Sequence, residues 1–120
     1  MLRAREDGVF GKGIARLRVL LVPLHHRGRE LAIDGTPVTF NKWLLDGKLR
    51  GEWDYHGTLV TDWDNVGRSV WEQHIKPDYE TASADAVKSG NDLIMTTPGF
   101  FEGAISAVNN GMLDESLLDA

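Results

Sequence analysis

Two short apolar runs on either side of a helical pattern constrain the fold of this 120-residue chain most strongly. The first spans residues 57–63 and ends in Asp62 and Trp63, and the second is Leu93–Ile94–Met95. Residues 78–89 lie between them and have apolar side chains at helical spacing. Because apolar strands that alternate with helices are typical of parallel sheets, this order predicts an α/β fold with parallel strands buried throughout.

Turn residues, capping residues and apolar spacing predict the remaining elements. They are a turn at residues 34–37, a short extended piece at 38–40, a helix from 41 to 51, a long loop that can include a helical turn at 64–77, a helix at 100–109 and a last turn capped by Asp114. In the helix at 100–109, we expect Phe101, Ile105 and Val108 to face the core.

Length and composition exclude several classes of protein. The 120 residues fall well short of the ~250 that are typical of a closed (β/α)₈ barrel. The absence of Cys excludes a disulfide framework, a thiolate metal site and a Cys nucleophile. A net charge of −5 gives no reason to expect nucleic acid as a partner. No stretch approaches the ~18 apolar residues that a membrane span requires, so we expect no membrane insertion.

Charge is distributed unevenly along the chain. Residues 1–32 carry seven basic and three acidic side chains, whereas residues 33–120 carry six basic and fifteen acidic ones. The basic segment could be a targeting peptide, a nucleic-acid arm or a terminal segment without an assigned role, and its scattered charges favour the last. The pair His25–His26 is not expected to bind a metal, because adjacent side chains point apart and no third ligand is nearby.

The carboxyl ends of the two predicted strands carry the residues of greatest chemical interest. In parallel α/β folds, reactive side chains lie just after the strands. The first candidate site residues are therefore Asp62 and Trp63, followed by Asp64. The second strand adds Thr96 and Thr97. A carboxylate beside an indole suits sugar chemistry, because it can stabilise an oxocarbenium-like centre. An Asp at a strand end is more often a cap or a loop acceptor, so these residues alone leave the role open.

Several motifs in the same order resemble glycoside hydrolase family 3, the β-glucosidase family. They are Asp34-Gly35-Thr36-Pro37, Trp43-Leu44-Leu45, Leu49-Arg50-Gly51-Glu52-Trp53, Gly57-Thr58-Leu59-Val60-Thr61-Asp62-Trp63, Ala86-Val87-Lys88-Ser89-Gly90-Asn91-Asp92-Leu93-Ile94-Met95 and Gly111-Met112-Leu113-Asp114-Glu115. The resemblance covers about residues 33–120.

The resemblance implies a fold and a site. Residues 33–120 would form the last strands and helices of a (β/α)₈ TIM-like barrel, which are too few to close a barrel alone. Asp62 would be the nucleophile of a retaining hydrolase, and Trp63 would line the sugar subsite. The substrate would be a β-glucoside or an oligosaccharide. No cofactor and no metal would be needed, because the family's chemistry uses two carboxyl groups.

Departures from the family pattern limit what this chain is expected to do. The resemblance implies that the general acid/base and an upstream Lys-His pair lie outside this sequence. Residues 28–32 do not match the strand that usually precedes the turn at Asp34, and we interpret residues 1–32 as a segment of different origin, such as a shifted reading frame or a misassigned start. The chain would then be a truncated and weakly active or inactive hydrolase.

Two functions without catalysis are alternatives. The chain could be a remnant or an interaction module that self-associates through open strand edges. A carbohydrate-binding module using Trp63 and Trp71 as platforms is disfavoured, because such modules are usually all-β. The sequence predicts neither a compartment nor an oligomeric state.

Overall fold

A computed structural model describes residues 32–119 of the chain. The chain divides into two units, Met1–Gly57 and Thr58–Ala120, and each is described here by itself. The basic segment and the pair His25–His26 lie outside the described residues, except for Ala32, so the expectations about them stay predictions.

The first unit opens, within its described part, with a two-residue hairpin. Strands β1 (Ala32–Ile33) and β2 (Thr36–Pro37) pair antiparallel, with Ala32 opposite Pro37 and Ile33 opposite Thr36. Asp34 and Gly35 form the turn with φ angles of 51° and 78°. Positive φ at both central residues is what a tight hairpin turn requires, and Asp-Gly adopts it readily. The predicted turn at residues 34–37 is confirmed.

Two helical segments complete the described part of the first unit. Val38–Phe40 forms a 3₁₀ turn, so the predicted extended piece was wrong. A π-helix follows over Trp43–Glu52 and buries Leu44, Leu45 and Leu49. The Asn41 carboxamide oxygen accepts a hydrogen bond from the Leu44 N–H at 3.1 Å, which agrees with the predicted helix start.

The second unit begins with the predicted strand pair. Val60 and Leu93 form a parallel bridge. The Thr61 N–H donates to the Leu93 carbonyl at 3.0 Å, and the Leu93 N–H donates to the Leu59 carbonyl at 3.1 Å. At the amino end of the pair, the Leu59 N–H also donates to the Asp92 carboxylate at 2.6 Å. The predicted parallel arrangement is confirmed, although the regular pairing is shorter than expected.

Burial along this strand pair differs from the prediction. Leu59 and Thr61 are buried, whereas Val60 is 44% exposed and Leu93 is 51% exposed. Successive side chains of an extended segment point to opposite sides, so covering one side of the pair leaves Val60 and Leu93 outside. The expectation of strands buried throughout was therefore wrong.

Three α-helices and a final 3₁₀ turn make up the rest of the second unit. They are α1 (Asn65–Trp71), α2 (Tyr79–Lys88), α3 (Phe100–Asn109) and the 3₁₀ turn Glu115–Leu117. Helix α1 occupies the first half of the stretch predicted as a long loop that can include a helical turn. The Asp78 carboxylate caps α2 by accepting a hydrogen bond from the Thr81 N–H at 2.7 Å. None of the helices described within residues 32–119 is long and apolar enough to cross a membrane.

Helix α3 packs on α2 through its small residues. Gly103, Ala104 and Ala107 are buried, whereas Phe101 is 68% exposed and Ile105 is 43% exposed, so the predicted inward positions of Phe101 and Ile105 were wrong. The reason is the close approach of the helices: a Cβ on Gly103 would lie 2.5 Å from the Tyr79 carbonyl oxygen. Large side chains do not fit this contact, and Phe101 and Ile105 line an open apolar cavity of about 410 Å³ instead. Val108, the third residue predicted to face inward, is partly buried and packs against the core.

Candidate active site

Asp62 and Trp63 follow the first strand segment at the carboxyl end of the parallel pair. The Asp62 side chain is partly buried, and its Oδ1 accepts a hydrogen bond from the Trp63 N–H at 2.6 Å. Trp63 is 65% exposed. A carboxylate with one oxygen engaged by the backbone has a restricted orientation, and the neighbouring indole offers an apolar surface to a ligand.

Hydrogen bonds tie the residues around Asp62 to the second strand segment. The Met95 N–H donates to the Thr61 Oγ1 at 2.9 Å, and the Asp64 N–H donates to the Met95 carbonyl at 3.1 Å. Thr61 is buried at this junction. Thr61, through its hydroxyl, and Asp64, through its N–H, are therefore both hydrogen-bonded to Met95 of the neighbouring strand segment.

Two residues at this edge have left-handed backbone conformations. Asp64 has a φ of 51° and Thr96 has a φ of 46°. Asp adopts this region more readily than most residues, but a β-branched Thr does so only at a cost of about 1–3 kcal/mol. Thr97, the other residue predicted here, is buried. Such strain collects at sites where surrounding contacts override local preference.

Asp64 and Trp71 form a contact that sequence reasoning missed. The Trp71 Nε1–H donates to the Asp64 Oδ2 at 3.0 Å, which links the two ends of α1. Asp64 precedes α1 at the capping position, but its carboxylate makes no capping hydrogen bond there. The Asp–Trp spacing of seven residues, two helical turns, is the only signal in the sequence that could have suggested this pair.

Three other carboxylates near this edge in sequence have partners of their own. Glu72 is paired with Arg68, and Asp78 caps α2. Glu80 accepts hydrogen bonds from Ser106 at 2.6 Å and from Asn110 at 2.9 Å. The structure therefore gives each of these carboxylates a structural contact of its own.

Arg68 carries the positive charge that acts on this edge. The pKa of its guanidinium is raised above the ordinary value, chiefly by its hydrogen bond to Glu72. Burial opposes this rise, and the negative charges of Glu72, Asp64 and Asp62 add to it. Arg68 therefore remains charged and forms an ion pair with Glu72. Within residues 32–119, no group of three His, Asp or Glu side chains could hold a metal ion.

Comparison with known proteins identifies the family. The family profile described as the glycosyl hydrolase family 3 N-terminal domain matches residues 9–120. The chain belongs to glycosyl hydrolase family 3. The family match begins at residue 9 and so includes most of the basic segment, and the boundary expected at residue 33 stays a prediction.

Individual relatives of this family 3 chain are β-glucosidases and β-xylosidases. Beta-D-xylosidase 3 of Arabidopsis thaliana is 33% identical over 89 residues, which are 72% of this chain and 11% of that protein. A β-glucosidase involved in saponin metabolism from intestinal bacteria is 74% identical, with a TM-score of 0.71 over 73% of this chain and 12% of its own. The Listeria innocua β-glucosidase in complex with glucose is 34% identical, with a TM-score of 0.67 over the same fractions.

The chain shares its fold class and family with these relatives but matches only a small part of their length. The matched structures confirm an α/β fold and a glycosidase family for this chain. The chain spans only about one-ninth to one-eighth of the length of these relatives.

Proposed function

We propose that this chain carries the catalytic nucleophile of a retaining β-glucosidase-type hydrolase and that Asp62 is the nucleophile. The observation that carries the proposal is the position of Asp62 at the carboxyl end of a parallel strand pair, where reactive residues of α/β folds collect. The motif Thr61-Asp62-Trp63 also resembles the Ser/Thr-Asp-Trp segment of the family, whose Asp is the nucleophile. A half-buried carboxylate beside an exposed indole suits a sugar substrate.

The chemical step assigned to Asp62 is attack on the anomeric carbon. A carboxylate oxygen forms a bond to that carbon while the bond to the leaving-group oxygen breaks, and the leaving group takes a proton from a second carboxylic acid. Water then attacks the anomeric carbon of the glycosyl-enzyme ester and gives a proton to the second carboxyl group, now a carboxylate; the bond to the Asp62 oxygen breaks, which releases the sugar with retained configuration and restores both groups.

Trp63 is the proposed substrate-binding residue. Its exposed indole can lie against the apolar face of a pyranose ring. One relative is a β-glucosidase in complex with glucose, and another is named a β-D-xylosidase. Both support a β-glucoside or a related oligosaccharide as substrate. No cofactor or metal is part of the proposed chemistry, because two carboxyl groups suffice for it.

The proposal includes the context in which Asp62 acts. We assign residues 33–120 to the last strands and helices of a (β/α)₈-type barrel. The second acid is assigned to no described residue, because Glu72, Asp78 and Glu80 have other partners. Loss of a general acid typically lowers a rate by about 10² to 10⁴, so we expect the 120-residue chain alone to turn over unactivated glucosides slowly or not at all.

An activated probe tests Asp62 without the second acid. An aryl 2-deoxy-2-fluoro-β-glucoside with a strongly acidic phenol as leaving group needs no protonation, and its fluorine slows hydrolysis of the ester. We expect the full chain to gain the mass of one fluoroglucosyl group, and peptide mapping to locate it on Asp62.

Matched variants make this labelling experiment decisive. Asp62→Asn should not be labelled, whereas Glu102→Gln, which changes an exposed carboxylate of α3, should be labelled at the wild-type rate. Trp63→Ala should raise the probe concentration for half-maximal labelling, and Trp63→Phe should restore most of the affinity. A wild-type chain that stays unlabelled, or that is labelled at another residue, would contradict the proposal and favour the non-catalytic remnant.

Self-association is a second candidate function, and exposed apolar side chains on the strand pair favour it. Val60 and Leu93 are both about half exposed. Exposed apolar side chains that lie together favour association with a second copy of the chain. Light scattering should then detect a dimer whose fraction rises with protein concentration, and Val60→Lys should abolish it. A monomer at all concentrations would exclude this function.

A further inference from the structure

Three backbone hydrogen bonds hold the turn that follows Asp62. The Asp64 N–H donates to the Met95 carbonyl at 3.1 Å, and the Asp64 carbonyl accepts from the Arg68 N–H at 2.8 Å. The Asp62 carbonyl also accepts from the Asn65 N–H at 3.2 Å. The segment is thus anchored to the strand on one side and to α1 on the other.

The Asp64 side chain adds a contact along the whole of α1. Its Oδ2 accepts the indole N–H of Trp71, the last residue of the helix, at 3.0 Å. Helical side chains lean toward the N-terminus, so the Trp71 ring can reach back over two turns to Asp64. A hydrogen bond to an ionised acceptor is among the stronger ones in proteins.

The other carboxylate oxygen of Asp64 is buried and accepts no hydrogen bond from the described residues. It fits against Gly67, where an added Cβ would lie 2.1 Å from it. Together with the left-handed backbone at Asp64, this is an energetically unfavourable arrangement that the surrounding contacts maintain. An unfavourable conformation beside the proposed nucleophile suggests that Asp64 fixes the position of Asp62.

We propose that Asp64 and Trp71 form a latch that positions Asp62, with Gly67 providing the space for the Asp64 carboxylate. Asp64 and Trp71 are positioning residues, because neither is assigned a contact with substrate. The expected effect of the latch on the reaction of Asp62 rests on the proposed function of Asp62. The structural consequence, that the latch rigidifies residues 62–64, can be measured without any activity.

The principal variant is Trp71→Phe, which keeps an aromatic ring and removes the N–H. With the fluoroglucoside probe, we expect the maximal rate of Asp62 labelling to fall about tenfold, as for net loss of one hydrogen bond to a charged group. The half-saturating probe concentration should change less than twofold, because the latch does not contact the sugar. Amide hydrogen exchange at Asp64 should accelerate about tenfold in the same variant. Trp43→Phe, in the first unit, is the matched control and should change none of the three.

Gly67→Ala separates positioning from stability. Alanine is a better helix former than glycine, and this difference on its own would stabilise α1. The new methyl group must displace the Asp64 carboxylate, so labelling should slow even if α1 becomes more helical. The double variant Asp64→Ala/Trp71→Phe should be no slower than the slower single variant, because the two residues act as one unit. Independent effects that multiply would overturn the latch.

The outcomes distinguish the latch from the proposed nucleophile. If the wild type is labelled at Asp62, and both Trp71→Phe and Gly67→Ala show the wild-type labelling rate and amide exchange, the latch is overturned. The assignment of Asp62 as nucleophile is then still supported. An unlabelled wild type would overturn the nucleophile. Faster exchange at Asp64 in Trp71→Phe would then still support the latch, and unchanged exchange would overturn it as well.

Discussion

The Met95 backbone N–H donates its hydrogen bond to the side chain of Thr61 rather than to a carbonyl of the facing segment, at 2.9 Å from Oγ1. The Thr61 hydroxyl thereby extends the pairing of the two segments beyond the bridge between Val60 and Leu93. Because Thr61 directly precedes Asp62, the bond links the stability of the second unit to the placement of the proposed nucleophile.

Replacing Thr61 tests this link. Thr61→Val keeps the shape of the side chain but leaves the Met95 N–H without its acceptor, and we expect a loss of about 1–3 kcal/mol in the free energy of unfolding. Thr61→Ser retains the hydroxyl and should lose less. Urea titration followed by circular dichroism measures both. Equal stability of the valine and serine variants would show that the hydroxyl is dispensable.

The close approach of α2 and α3 predicts the cost of a single methyl group. In Gly103→Ala, the Cβ would lie 2.5 Å from the Tyr79 carbonyl oxygen and 2.7 Å from the Ser83 Oγ. The carbonyl belongs to the backbone of α2 and cannot rotate away, so we expect a destabilisation of about 1–3 kcal/mol. Gly47→Ala in the π-helix is the control, since its Cβ would meet nothing within 4 Å. Thermal unfolding should show a lower midpoint for Gly103→Ala alone.

The buried face of α3 can be tested by two opposite substitutions. Ala107 is fully buried, so Ala107→Leu should destabilise the chain by about 1–3 kcal/mol through overpacking. Phe101 is mostly exposed, and Phe101→Ala should change the free energy of unfolding by no more than about 0.5 kcal/mol. Denaturant unfolding of both variants decides the point. A larger loss for Phe101→Ala than for Ala107→Leu would mean that the helix packs through its large residues after all.

Glu80 predicts a pH dependence of stability. Hydrogen bonds from Asn110, and then from Ser106, lower the pKa of the Glu80 carboxyl below its ordinary value, against the opposing effects of burial and of the Asp78 charge. A carboxyl whose pKa is lower in the folded state stabilises the fold above its unfolded pKa. This contribution disappears as the pH falls through the folded pKa.

The measurement for Glu80 is the free energy of unfolding between pH 7 and pH 3. Glu80→Gln keeps an acceptor for Asn110 but cannot titrate, so its stability should fall less on acidification than that of the wild type. The expected difference between the two chains is largest at the acidic end of the range. Parallel stability curves would show that Glu80 titrates alike in the folded and unfolded chains.

Local signals in the sequence were sufficient for much of the secondary structure. Asp78 begins α2 because a carboxylate there can accept a backbone N–H, and Asp-Gly turns the hairpin because both residues tolerate positive φ. The parallel order of the two strand segments also followed from their alternation with helices. The family followed from motifs in order, and the comparisons confirm it. The role of Asp62 stays a prediction.

The tertiary structure decided which side chains are inside. Periodicity alone placed Phe101 and Ile105 toward the core, but the small residues of α3 allow a closer contact with α2, and the large ones are left outside. It also decided the contact between Asp64 and Trp71, two residues that a sequence shows only as two helical turns apart. Capping and turn preferences depend on a few neighbouring residues and can be read along the chain. The choice of a buried face depends on the shape of the partner surface, which exists only when the chain has folded.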